Sequence, residues 1–152
     1  MKNIKLIILI LFLSNCGYSS IYNNQKIQNF KIKIVELKGD REMNNLIKNE
    51  IKLYSNKESV KIYKIKVDTD YKKDVLTKNS SGVITDYNLS VISVFSINLE
   101  NKNKTFKFEE NINIKNQTDT FEQNTYEKDI KRNFASTIRE KLFSAILSIN
   151  DN

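Results

Sequence analysis

The sequence predicts an α+β fold, a two-layer α/β sandwich in which a mixed four-stranded sheet carries two helices on one face, in the order β-α-β-β-β-α. Three observations predict it. Four stretches alternate apolar and polar residues with the period of two that a half-buried strand needs. Two others repeat apolar residues at helical spacing. One helical stretch separates the first two strands, which asks for a right-handed parallel crossover, whereas short turns between the later strands ask for antiparallel pairing.

Taken in order, the first strand is Phe30, Ile32 and Ile34 alternating with Lys31 and Lys33, then Val35 and Leu37; Gly39-Asp40 stops it. Asp40 is placed to cap the following helix by accepting from an amide of its first turn. Met43, Leu46, Ile47, Glu50, Ile51 and Tyr54 form that helix's inner stripe, and Ser55-Asn56 ends it with a residue tolerant of left-handed backbone. Val60 to Val67 is the second strand, with a longer run toward Tyr71 left open. The stretch 68–85 reads as a loop holding Lys72, Lys73 and Lys78, with a turn at Asn79 to Gly82.

Tyr87, Leu89, Val91, Ser93, Phe95, Ile97 and Leu99 then share one face of a third strand, while Ile92 and Val94 interrupt its polar side. Asn101 to Asn103 turn the chain into a fourth strand with Phe106, Phe108, Ile112 and Ile114 inward. Glu110 falls on that inward set, which places it at an edge or a bulge. The closing helix starts from a Thr120 cap with Gln123 or an Asn124 cap with Glu127. Tyr126, Ile130, Phe134, Ile138, Leu142, Ala145, Ile146 and Ile149 form its stripe, and Lys128, Lys131, Arg132, Arg139 and Lys141 are expected in solvent.

Residues 1–15 read as an export signal. Lys2 and Lys5 precede the apolar run Leu6 to Leu13, and Leu13-Ser14-Asn15-Cys16 closes it. Eight residues at about 1.5 Å each span only about 12 Å, against roughly 30 Å of hydrocarbon, so the run is too short to cross a membrane. It resembles a bacterial lipobox, with Asn15 where Gly, Ala or Ser is usual. The resemblance implies acylation of the Cys16 sulfur and of the new amino terminus. A lone cysteine in an exported chain has no disulfide partner within it, which fits that use. Residues 16–29 are polar and read as a tether, and 30–152 as one domain.

The full chain has 25 Lys and Arg against 18 Asp and Glu. Loss of Lys2 and Lys5 leaves 23 against 18, or +5, which suits an anionic partner such as a phospholipid surface or phosphorylated glycolipid; export argues against nucleic acid. The chain has no His, and lipidation takes its only thiol, so most hydrolase and metal-site templates are unavailable. Glu109 and Glu110 point to opposite faces of a strand and cannot act as a carboxylate pair. The expectation is a protein that is not an enzyme and holds no cofactor or metal.

Cys16-Gly17-Tyr18, the strand and helix around Asp40-Arg41-Glu42, the Gly82 turn into Asp86-Tyr87-Asn88-Leu89 and the long closing helix together resemble the LPS-assembly lipoprotein family LptE. The resemblance spans the mature chain and lies in order and pattern more than in identity. It implies an outer-membrane lipoprotein, anchored on the periplasmic side, that forms a heterodimer with the LptD barrel, plugs it, helps it assemble and contacts lipopolysaccharide. The family's lipopolysaccharide-contacting basic residue maps to Ser80, so Lys72, Lys73 and Lys78 stand only as neighbouring candidates. The alternative is a free periplasm-facing lipoprotein, a lipid carrier or enzyme inhibitor, which would need a concave apolar pocket.

Overall fold

The computed structural model describes residues 30–99 and 102–150. The expected signal segment, Cys16 and tether lie outside the described residues. The elements are β1 (Lys31–Gly39), α1 (Arg41–Tyr54), β2 (Ile62–Lys78), β3 (Ile84–Leu99), β4 (Lys102–Lys115) and α2 (Thr120–Asn150). The sheet runs β1-β2-β3-β4, with β1 and β2 parallel and the other pairs antiparallel. This is the mixed sheet and the element order that the alternation predicts.

At the end of β1, Gly39 adopts φ +81, a left-handed conformation. A Cβ there would lie 2.0 Å from the Thr69 carbonyl oxygen, so the close approach requires glycine. The next amide, Asp40, donates to that same oxygen at 2.6 Å. Asp40 Oδ1 accepts from the Met43 amide at 2.8 Å, which is the predicted cap of α1. Met43, Ile47 and Ile51, four residues apart, are buried. The helix ends on Ser55 in an extended conformation, not on a left-handed residue; the Ser55 hydroxyl instead accepts from the Ile32 amide at 2.9 Å and ties the helix end to β1.

The register of β1 shifts between Ile34 and Glu36. Alternation therefore breaks at Val35, which is exposed, and Leu37 beyond it is only partly covered. The stretch 68–85 is not a loop. β2 continues to Lys78 and β3 begins at Ile84, so only the residues between them turn. Asn79 organises this turn: its Oδ1 accepts from the Ser81 and Val83 amides, and Gly82 supplies the positive φ. Glu110 lies on edge strand β4, paired with Val91 in unbroken register, so it is an edge residue without a bulge.

Both helices cover one face. Phe30, Tyr63, Ile65, Val67, Leu89, Val91, Phe95, Ile97 and Ile114 meet Met43, Ile47 and Ile51 of α1 and Phe134, Ile138, Leu142 and Ile146 of α2. Thr69 and Ser93 are buried opposite each other, their hydroxyls 3.3 Å apart in a hydrogen bond that satisfies both in the core. α2 starts at neither predicted cap: Asp119 Oδ1 accepts from the Phe121 and Glu122 amides. Tyr126 falls off the stripe and is exposed, while Ala135 and Phe143 join the core.

Two basic residues expected in solvent are enclosed where the helices meet. Lys131 bonds Glu42, and its side chain is 15% exposed. Arg139, 12% exposed, lies 4.0 Å from the Tyr54 ring centroid and 3.7 Å from Glu50. Both pairs join α1 to α2 in ascending order along each helix, so the helices run parallel. Their aliphatic stems fill the seam while their charges meet carboxylates.

Candidate functional site

The lysines read as one loop patch are separated by β2. Adjacent strand residues point to opposite faces. Lys72 lies on the open face and pairs with Asp70 at 3.1 Å. Lys73 points to the helix side, where its ammonium bonds Glu127 of α2 and stands 4.1 Å from the Tyr87 ring centroid. Lys78 ends β2 beside the turn and is exposed, as is Ser80 within the turn. The three therefore make no single patch.

Lys73 belongs to a polar seam under the first turns of α2. Glu127 also accepts from Gln123 Nε2 at 2.6 Å, and Gln123 Oε1 accepts from the Gln117 amide at 2.7 Å. Lys131 spans from Glu42 to the Tyr71 ring, 4.5 Å from its centroid. The Tyr71 hydroxyl is enclosed without a hydrogen-bond partner. Burial, then the charges of Glu127, Glu42 and Asp40, push its pKa up to about 12. The seam fastens helices to sheet.

At the far end of the sheet Asp86, from the Asp-Tyr pair of the family resemblance, accepts from the hydroxyls of Thr77 and Thr85. The Thr77 bond first, then that of Thr85, holds its carboxyl below the usual carboxylate range. This clasp sits where the β2–β3 register shifts at Thr77, and it closes the base of the hairpin. Sequence reasoning singled out Asp86 but not its Thr77 and Thr85 donors, because Thr77 reaches it only as a cross-strand neighbour.

The sheet face away from the helices is open. Its β1–β2 half carries Glu36 bonded to Lys66 at 2.7 Å and Lys38 at 3.1 Å; those two ammonium groups, Lys66 first, lower the Glu36 pKa. Its β3–β4 half is largely neutral, with Asn88 donating to Asn113 at 2.8 Å and Ile92 and Val94 half-buried at the centre. A recess lined by Glu36, Lys38, Lys66, Val67, Asp68, Val94 and Ser96 lies open between the halves. Its ionic walls suit no acyl chain. Among the described residues no cluster of acidic or thiol side chains is suited to a metal, and no helix is long and apolar enough to cross a membrane.

No family model matches the chain, and no curated relative matches it in sequence. Among solved structures it is similar to rare lipoprotein B from Shewanella oneidensis, at 17% identity and a TM-score of 0.57, over 78% of this chain and 99% of that one. It is similar also to a protein assigned as a lipoprotein from Caulobacter crescentus CB15, at 8% identity and a TM-score of 0.59, over 82% and 92% of the two chains. The likeness is one of fold: the described residues form a sandwich of the kind found in these lipoproteins.

Proposed function

We propose that the chain is a lipid-anchored outer-membrane protein that plugs the LptD barrel and helps it assemble for delivery of lipopolysaccharide to the cell surface. The observation that carries this is the fold likeness covering 99% of rare lipoprotein B. The lipobox at Cys16 and the Asp86-Tyr87 strand entry support it. An open sheet face of paired ions and amides suits the wet wall of a barrel lumen, where charge is matched and apolar patches are small. The domain acts by contact and not by chemistry. Lys72 and Lys78, both exposed, are the lysines of the candidate set left to meet glycolipid phosphates; Lys73 is committed to Glu127.

The test is purification of tagged full-length chain from solubilised outer membranes, with surface lipopolysaccharide measured after its depletion. LptD should co-purify in equal amount and surface lipopolysaccharide should fall; recovery of the chain alone, with surface lipopolysaccharide unchanged, overturns the reading. Cys16→Ala should abolish labelling by an acyl-chain analogue, and label that persisted would put the anchor elsewhere. Replacing Lys72 and Lys78 by Gln should weaken binding of purified lipopolysaccharide and flatten its salt dependence. Equal affinity with an equal salt slope would remove those two residues from the contact.

A further inference from the structure

The two edges of the sheet are finished differently. β1 carries a register shift, and helix side chains occupy its backbone: Ser55 takes the Ile32 amide and Asn44 donates to the Lys38 carbonyl at 2.6 Å. Shifts and covering groups of this kind keep an edge from pairing with another chain. β4 has neither. Its 14 residues pair with β3 without a shift, and the strand order places no neighbour on its other side.

The Asn116 amide donates to the Thr85 carbonyl at 2.7 Å, which fixes the alternation of this ladder: even-numbered residues of β4 turn their backbone groups toward β3. Asn103, Thr105, Lys107, Glu109, Asn111 and Asn113 therefore turn theirs outward. On the helix side of the same edge, Phe106 and Phe108 stack with centroids 6.3 Å apart and remain half-buried. The edge offers an unbroken backbone ladder beside incompletely covered aromatic surface.

We infer that two copies of this chain pair β4 to β4, antiparallel, about a two-fold axis at Phe108. Pleating requires odd-numbered residues to face odd-numbered ones, so few registers are allowed. Centred on Phe108, Lys107 lies opposite Glu109 of the second copy and Glu109 opposite its Lys107. Thr105 meets Asn111, Asn103 meets Asn113, and the two Phe108 rings meet in a pair without mutual hydrogen bonds, where side chains approach most closely. Centring on Lys107, Glu109 or Glu110 instead sets like charges against each other on the axis. Centring on Phe106 leaves Lys107 opposite Thr105 and much of the edge unused. Lys107 and Glu109 are each more than half exposed and only 3.8 Å apart within one copy, so both are available to the second.

The pairing goes beyond the barrel reading and does not depend on it. A copy seated in a barrel would have to release the edge, so the dimer is the form expected away from the barrel. Light scattering of the full-length chain in detergent, with detergent mass subtracted, should give the mass of two chains at concentrations up to about 100 μM. Asn111→Pro removes an outward amide at a position where an edge strand tolerates proline, and should give one chain with an unchanged urea midpoint. Glu109→Lys should weaken dimerisation roughly tenfold, and adding Lys107→Glu should restore it.

A single-chain mass throughout that range overturns the inference. So does a dimer that survives Asn111→Pro with the fold intact, or a charge exchange that fails to restore pairing. Should Asn111→Pro shift the urea midpoint, the charge exchange alone decides. A monomer whose β4 amides become protected from hydrogen exchange only when LptD is added would give the edge to that barrel, and overturns the inference too.

Discussion

On the helix-covered face of the sheet Tyr63, Ile65, Val67, Leu89, Val91, Phe95 and Ile97 are all buried; on the open face Lys64, Lys66, Asp68 and Asn98 are exposed, and Ile92 and Val94 reach only half burial. The same strands supply both sets, one residue apart. The covered face gains the apolar area that holds the domain together, at roughly 25 cal/mol per Å² removed from water. The open face exchanges charge for charge in solvent, where each pair adds little. Stability is thereby assigned to one side of the layer, and a substitution's cost should depend on the parity of its position more than on its chemistry.

The largest expected effect tests the covered side. Leu142, fully enclosed on α2, should lose roughly 2 to 5 kcal/mol on Leu142→Ala in urea melts of the full-length chain, with the slope unchanged. A midpoint equal to that of the parent would mean that α2 does not cover the sheet in solution, and the contrast between faces would collapse.

A smaller effect of opposite sign is expected at Tyr71, where the covered side ends in a polar seam. Its hydroxyl has no partner, so Tyr71→Phe should gain about 1 kcal/mol at neutral pH by removing an unsatisfied buried group. The folded domain keeps this phenol neutral up to about pH 12, whereas an unfolded chain ionises it near 10.0. Its contribution is therefore complete below pH 10 and is lost as pH rises from there toward 12. The parent should lose stability across that window and Tyr71→Phe should lose less; parallel curves would show the hydroxyl to be solvated.

The smallest effect belongs to the open face. Lys66→Gln, which removes a partner from Glu36, should leave the urea midpoint indistinguishable from the parent's, in low salt and in high. A cost comparable to that of Leu142→Ala would show this face to be covered by something the fold alone does not supply.

Elements whose pattern is local were legible in the sequence. β3 keeps its inner face apolar at alternate positions from Tyr87 to Ile97 save for Ser93, α1 announces its cap at Asp40, and α2 carries its stripe through Ile130, Phe134, Ile138 and Leu142. The extension of β2 beyond Tyr71 was not legible, because Lys73 puts a charge on its inner face and the apolar alternation stops at Tyr71; only pairing with Leu89 and Tyr87 makes that stretch a strand. Lys131 and Arg139 look like surface cations until α1 is laid beside α2, a neighbour 89 residues away. The candidate lysines failed as a set for the same reason: spacing along a loop does not give the face on which a strand places them. Asp119 with Glu122, Thr120 with Gln123 and Asn124 with Glu127 all have the capping-box spacing, so spacing alone does not pick out Asp119 as the cap of α2.

The strands stand in the sheet in the order in which the chain presents them. Each strand after the first thus finds its neighbour already placed as the chain emerges, and the two hairpins close over short spans, for which loop entropy is small. The sheet can be fully covered only after all four strands have emerged, because α2 follows β4 in the chain. A chain halted before Thr120 would hold Leu89, Val91, Phe95 and Ile97 against water. The closing helix is therefore the step that ends a nascent chain's exposure to chaperones and proteases, and a truncation there should be felt first as degradation.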